Sequence, residues 1–174
     1  MKRVTLTGVE STGKSLLAPV LAAKFGGVVM PEHGRQWAET RGLDFTIDAL
    51  RSIAAGHIAE RSAIEAQQPA LIVEDTDIVM TSAWARMLHG ARDPVLTAIP
   101  ATGNLYLLFA ADTPWVGDGT RQFGGNERSR FNAIIADEFE QRGIVPVAVT
   151  GSWDARYTAA AAAVAALLAS SDPS

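Results

Sequence analysis

The run Gly8-Val9-Glu10-Ser11-Thr12-Gly13-Lys14-Ser15 constrains this chain more than any other stretch. It satisfies G-x-x-x-x-G-K-[ST] at every fixed position. Gly8 and Gly13 let the backbone turn tightly around an anion. Successive N–H groups, and the positive end of the helix that follows, then face one point. In such a loop Lys14 reaches the β- and γ-phosphates of a nucleotide, and the Ser15 hydroxyl binds Mg²⁺. Glu10, Ser11 and Thr12 fill the variable positions and Leu16 sits at the helix start, so these residues are expected around the phosphates. The flanks supply the context that the motif requires: an apolar run at 4–7 before it and a helical stretch at 15–24 after it. This P-loop accepts ATP or GTP, and ATP with Mg²⁺ is the expected donor.

Further apolar, β-branched runs lie at 27–30, 71–74, 105–109 and 144–149. Near-continuous apolar character suits strands covered on both faces. Between them lie helical stretches at 47–67, 76–89, 126–142 and 153–168, long enough to cross over between parallel strands. The alternation predicts a three-layer α/β P-loop fold, with a mostly parallel, five-stranded central sheet flanked by helices. The chain of 174 residues is expected to form one domain over 1–174.

Composition narrows the function classes. There is no cysteine, which excludes disulfides, thiolate zinc sites and cysteine nucleophiles and suits a cytoplasmic protein. The formal charge is −4, from 15 Lys and Arg against 19 Asp and Glu. That balance argues against nucleic acid as a partner. No apolar stretch approaches the ~20 residues that span a bilayer, so no membrane association is expected. The Ala-rich run at 158–169 reads as a helix packed on a sheet.

Carboxylates are expected on the same rim as the loop. The run Glu74-Asp75-Thr76-Asp77 ends an apolar strand. Asp75 is the first choice for the metal side, and Asp77 for the acceptor. The competing reading is helix capping by Asp75 or Thr76, with Asp77 favoured by the helix dipole. Pro31-Glu32-His33-Gly34-Arg35 follows another strand, and ligands of parallel sheets bind at such ends. Glu32 there can accept a proton from an attacking hydroxyl, with Arg35 one turn later. The alternative is an exposed ion pair worth under about 1 kcal/mol.

Residues 113–125 carry a proline, glycines and charges and read as a mobile surface loop. Arg121, Arg128 and Arg130 in and after it can neutralise a transferred phosphoryl group. The alternative is a solvated basic loop. Trp115 either stacks on an acceptor ring or packs the loop. His57 and His89 read as structural or surface residues, and His33 stays open beside Glu32.

Together, residues 8–15, Pro31-Glu32-His33-Gly34-Arg35, Glu74-Asp75-Thr76-Asp77 and Pro114-Trp115-Val116-Gly117-Asp118-Gly119-Thr120-Arg121 resemble the ribosylnicotinamide kinase domain of NadR-type proteins. The resemblance runs from Val4 to about Trp153. It implies phosphorylation of the 5′-hydroxyl of nicotinamide riboside, a small nucleoside-like substrate, by ATP with Mg²⁺. It places Lys14 and Ser15 at phosphate and metal, Asp75 or Asp77 at the reacting centre, and Glu32 at the acceptor. Trp115, Asp118 and Arg121 fall on the substrate side, and Trp153 in a loop beside the adenine. Gly117 departs from the acid that many relatives carry, and 174 residues leave no room for the adenylyltransferase or repressor domains found in that family. The alternatives are a kinase for another nucleoside or small hydroxyl compound, and a nucleotide-dependent regulatory ATPase.

Overall fold

The computed structural model describes residues 1–117, 119 and 121–170. The apolar runs become β1 (Lys2–Thr7), β2 (Val28–Met30), β3 (Leu71–Asp75), β4 (Leu105–Phe109) and β5 (Val147–Val149). They form one sheet in the order β2-β3-β1-β4-β5, every neighbouring pair parallel. The helices are α1 (Lys14–Phe25), α2 (His33–Arg41), α3 (Ile47–Glu65), α4 (Ile78–His89), α5 (Pro94–Ala98), α6 (Gly125–Gln141) and α7 (Trp153–Ala169). The three-layer parallel fold expected from strand–helix alternation is the one observed. No helix among the described residues is long and apolar enough to cross a membrane.

Side-chain alternation along the strands separates two cores. Val4, Leu6, Leu71, Val73, Leu107 and Phe109 pack with Leu21 of α1 and Val164 of α7. On the other face, Tyr106 joins Val79 and Ala83 of α4 and Phe131 and Ile135 of α6. A third cluster gathers Phe45, Leu50, Ile53 and Ala54 with Ile78 and Ala85 of α4 and Leu96 of α5.

Three local differences have physical causes. β5 is shorter than the apolar run at 144–149, because Pro146 cannot donate a ladder hydrogen bond and Val145 is exposed. α4 starts at Ile78 and not at 76, because Asp77 is its N-cap and accepts from Val79 N at 2.9 Å. α2 has no buried residue and hence no apolar stripe that periodicity could detect.

The second face carries polar groups in register. Thr5 of β1 pairs with Glu74 of β3 on one side and with Tyr106 of β4 on the other. Thr5 Oγ1 donates to Glu74 Oε2 at 2.7 Å, while Glu74 Oε1 is buried without a partner. Burial, reinforced by the charge of Asp77, pushes the Glu74 carboxyl up to about 7.

The native state therefore holds a proton on Glu74 that the unfolded chain has already released. Stability from this proton is fully present below the unfolded pKa and is lost as pH rises through about 7. The difference is worth roughly 3 kcal/mol. Glu74→Gln keeps the shape and removes the proton. Urea unfolding between pH 5 and 8 should show the wild type losing stability relative to Glu74→Gln as pH rises, the difference isolating Glu74 from other titrating groups such as His57.

Candidate active site

The turn from β1 into α1 is built for an anion. Gly8 has φ 138, and a Cβ there would sit 2.5 Å from the carbonyl oxygen of Phe109. Gly13, with φ 89, caps α1, and a Cβ there would lie 2.3 Å from the Trp153 ring. Thr12 Oγ1 donates to Val9 O at 2.9 Å and closes the turn. The Lys14 ammonium donates to the carbonyls of Gly8 and Val9 at 2.8 and 2.9 Å. Burial lowers the Lys14 pKa, and the charges of Asp75, Glu32 and Glu10 oppose that shift.

A cleft of about 470 Å³ opens over this turn. Gly8, Glu10, Ser11, Thr12 and Gly13 line it, continuing through Lys14 and Ser15 to Leu16. Glu32, Arg35, Asp77, Arg121 and Trp153 also reach it. Phe45, Leu50, Ile53, Met80 and Trp84 give it an apolar portion. Trp84 packs against Phe45 and Phe123 with ring centroids 5.4 and 4.6 Å apart. A smaller hollow beside the cleft is lined by Ser15, Glu32, Arg35 and Asp75.

Glu32 precedes α2, and its Oε2 lies 3.5 Å from Arg35 Nε. Burial, then the Asp75 charge, raises the Glu32 pKa against the pull of Lys14 and Arg35. Asp75 is 4% exposed and its Oδ1 has no partner. An unpaired carboxylate oxygen on a residue that shares a hollow with Ser15 is the kind of ligand a hard divalent cation takes. Among the described residues no group of three or more acidic or histidine side chains is arranged to hold a metal ion by itself. Phosphate oxygens and water would have to complete any metal shell here.

Thr76, between the two acids, has φ 71. That conformation is costly for a β-branched residue, of order 1–3 kcal/mol. Asp75 borders the smaller hollow, whereas Asp77 lines the main cleft. Both Asp77 oxygens are occupied: Oδ1 by Val79 N at 2.9 Å, and Oδ2 by the Tyr106 hydroxyl at 2.6 Å. Burial raises the Asp77 pKa, and these two hydrogen bonds oppose it. Capping of α4 thus falls to Asp77 itself, not to Asp75 or Thr76.

Two expected residues are placed elsewhere. Arg128 does not line the cleft: its guanidinium is buried and donates to Glu10 O at 3.1 Å and to Thr113 Oγ1 at 3.2 Å. It braces the loop backbone. Trp115 packs on Gly117 and Gly124, and its Nε1 lies 3.5 Å from Glu10 Oε2. Packing of its own segment, and not stacking in the cleft, is what the geometry gives. Asp118 lies outside the described residues. Arg130 is exposed on α6.

Several contributors carried little signal. Arg156, 1% exposed, donates to Gly151 O at 2.9 Å and Ala110 O at 3.3 Å. It also reaches Thr12 O and Val149 O at 3.4 Å each and pairs with Asp112. A lone arginine in an Ala-rich helix was its only trace. His33 pairs with Glu60 at 3.3 Å and packs on Gly56, joining α2 to α3. His57 lines the cleft, and burial, aided by the Arg61 and His33 charges, pushes its pKa down to about 4.

The AAA domain family profile matches residues 3–156. The trifunctional NAD biosynthesis/regulator protein NadR of Escherichia coli (strain K12) is 29% identical over 167 residues, 90% of this chain and 40% of that protein. A crystal structure of NadR protein in complex with NR is similar with TM-score 0.82 at 22% identity, covering 98% of this chain and 52% of that one. A second, of NadR protein in complex with NAD and AMP-PNP, has TM-score 0.75 at 19% identity, covering 99% and 51%. The chain spans about half, or less, of these relatives. The sequence likeness agrees with the resemblance carried by the motifs, and the structural likeness with the P-loop fold.

The Asp77 contacts are separable. Asp77→Ala should cost about 2 kcal/mol, by loss of a cap and of a buried hydrogen bond. Tyr106→Phe should cost about 1 kcal/mol. The double variant should fall short of the sum in denaturant unfolding, because one bond is counted in both.

Proposed function

The chain belongs to the AAA domain family, and from that membership and the cleft we propose that it is a kinase for a small nucleoside-like acceptor. The acceptor we favour is nicotinamide riboside, phosphorylated on its 5′-hydroxyl to nicotinamide mononucleotide. One observation carries the reading. A single cleft joins the phosphate turn and Lys14 to an apolar, aromatic compartment, with the Glu32 carboxylate on the same lining. A switch protein needs the turn but not the compartment. The NadR relatives, one of whose structures holds NR and another AMP-PNP, support the choice of acceptor and donor.

In the proposed reaction the acceptor oxygen attacks the γ-phosphorus of ATP in line. The bond from that phosphorus to the β–γ bridging oxygen breaks, ADP leaves, and the hydroxyl proton passes to Glu32. Lys14 leaves its two carbonyl partners for the β- and γ-phosphate oxygens. Arg121, which lines the same cleft, adds charge. Ser15 and Asp75 would hold Mg²⁺, which supplies charge neutralisation on the phosphates. Aromatic rings at Trp84 and Phe45 receive the flat acceptor base. Trp153, 57% exposed above Gly13, offers a face to the nucleotide base. The rate comes from positioning and electrostatics.

ATP consumption against nicotinamide riboside and common nucleosides, with products identified by mass, tests the reading. Consumption that depends on one acceptor supports it. Acceptor-independent hydrolysis that responds to a protein partner overturns it. Lys14→Ala should lower kcat about a thousandfold or more with the fold intact by circular dichroism. Glu32→Gln should lower kcat by about a hundredfold, with ATP KM little changed. Glu32 must be ionised to accept a proton, and its pKa is raised. The acid limb of kcat/KM should therefore lie above the ordinary carboxylate range of about 4.3 and vanish in Glu32→Gln.

A further inference from the structure

The variable position held by Glu10 puts a negative charge in the wall of an anion site. That charge repels approaching phosphates, but the carboxylate is also the acceptor for backbone amides of a distant segment. Both Glu10 carboxylate oxygens lie 3.1 Å from Gln122 N, and Oε2 accepts from Phe123 N at 3.0 Å. The neighbouring Ser11 adds a second tie: its hydroxyl accepts from Val116 N at 3.0 Å and donates to Val116 O at 3.1 Å. Thr113 Oγ1 donates to Ser11 O at 2.7 Å. Phe123 is buried against Trp84 and Phe131, which anchors the far end of the segment in the core.

Arg121 immediately precedes the two amides that Glu10 holds. It donates to Val116 O, the same carbonyl that Ser11 engages, and lines the cleft. We propose that Glu10 is a positioning residue that docks the Arg121-bearing segment onto the phosphate turn, so that the turn itself sets where Arg121 stands. The consequence for catalysis rests on the kinase reading above. The docking does not.

Two measurements test it. Trypsin cleavage at the Arg121–Gln122 bond, followed by mass with and without AMP-PNP, needs no acceptor. Glu10→Ala should be cut about tenfold faster than wild type, with Glu10→Gln between them. Cleavage of Glu10→Ala at the wild-type rate overturns the docking. If Glu10→Ala does not fold, Glu10→Gln alone decides, and a wild-type rate there overturns it equally. The second measurement is a cycle on kcat with Arg121→Ala. Glu10→Ala should lower kcat about thirtyfold with ATP KM shifted by less than about threefold, and the double variant should be no slower than Arg121→Ala. Independent, multiplying losses would overturn the positioning role. A protein that turns over no acceptor defeats the kinase reading, and the cleavage result still judges the docking.

Discussion

A charged guanidinium with almost no access to water stands at the centre of this structure. Burying such a group is tolerable only when hydrogen-bond acceptors surround it. Arg156 finds them at the ends of β4 and β5, in the phosphate turn and at the start of its own helix. One side chain thereby fixes the relative height of two strand ends and of Thr12. The turn holds its shape because its floor is tied to the sheet, and the cleft above inherits that rigidity.

The acids that follow β3 depend on backbone strain. Thr76 adopts a left-handed conformation that its branched side chain disfavours. The gain is a division of labour between two acids separated by one residue. Asp75 keeps an unpaired oxygen and borders the hollow that Ser15 also lines, while Asp77 is held by an amide and a phenol. Without that kink the chain would enter α4 directly. The buried polar row of Glu74, Thr5 and Tyr106 supports the arrangement from beneath, because Tyr106 reaches from the sheet to Asp77.

How much of this was legible in the chain follows from how local each signal is. Gly8, Gly13, Lys14 and Ser15 act through the backbone of one turn, so their spacing specified the turn's geometry. The apolar runs likewise specified strands, since burial on both faces leaves no other composition. Asp77 was harder: three polar residues in a row compete for one capping position, and only the kink at Thr76 decides among them. Trp115 and Arg128 stood open between ligand contact and packing, because loops with aromatic and basic residues serve both. Their partners, Gly124, Glu10 and Thr113, lie far along the chain or are backbone atoms without a type of their own. Arg156 and Tyr106 were silent for the same reason, as were the aromatic neighbours of Trp84.

The docking by Glu10 has a further consequence. Its carboxylate grips main-chain amides at 122 and 123, which every residue but proline possesses. The grip is therefore indifferent to which side chains that stretch displays. Side chains facing the cleft from it can be exchanged without loosening the attachment. The attachment survives each change. A scaffold of this kind lets the cleft's lining vary while the turn beneath it stays where it is.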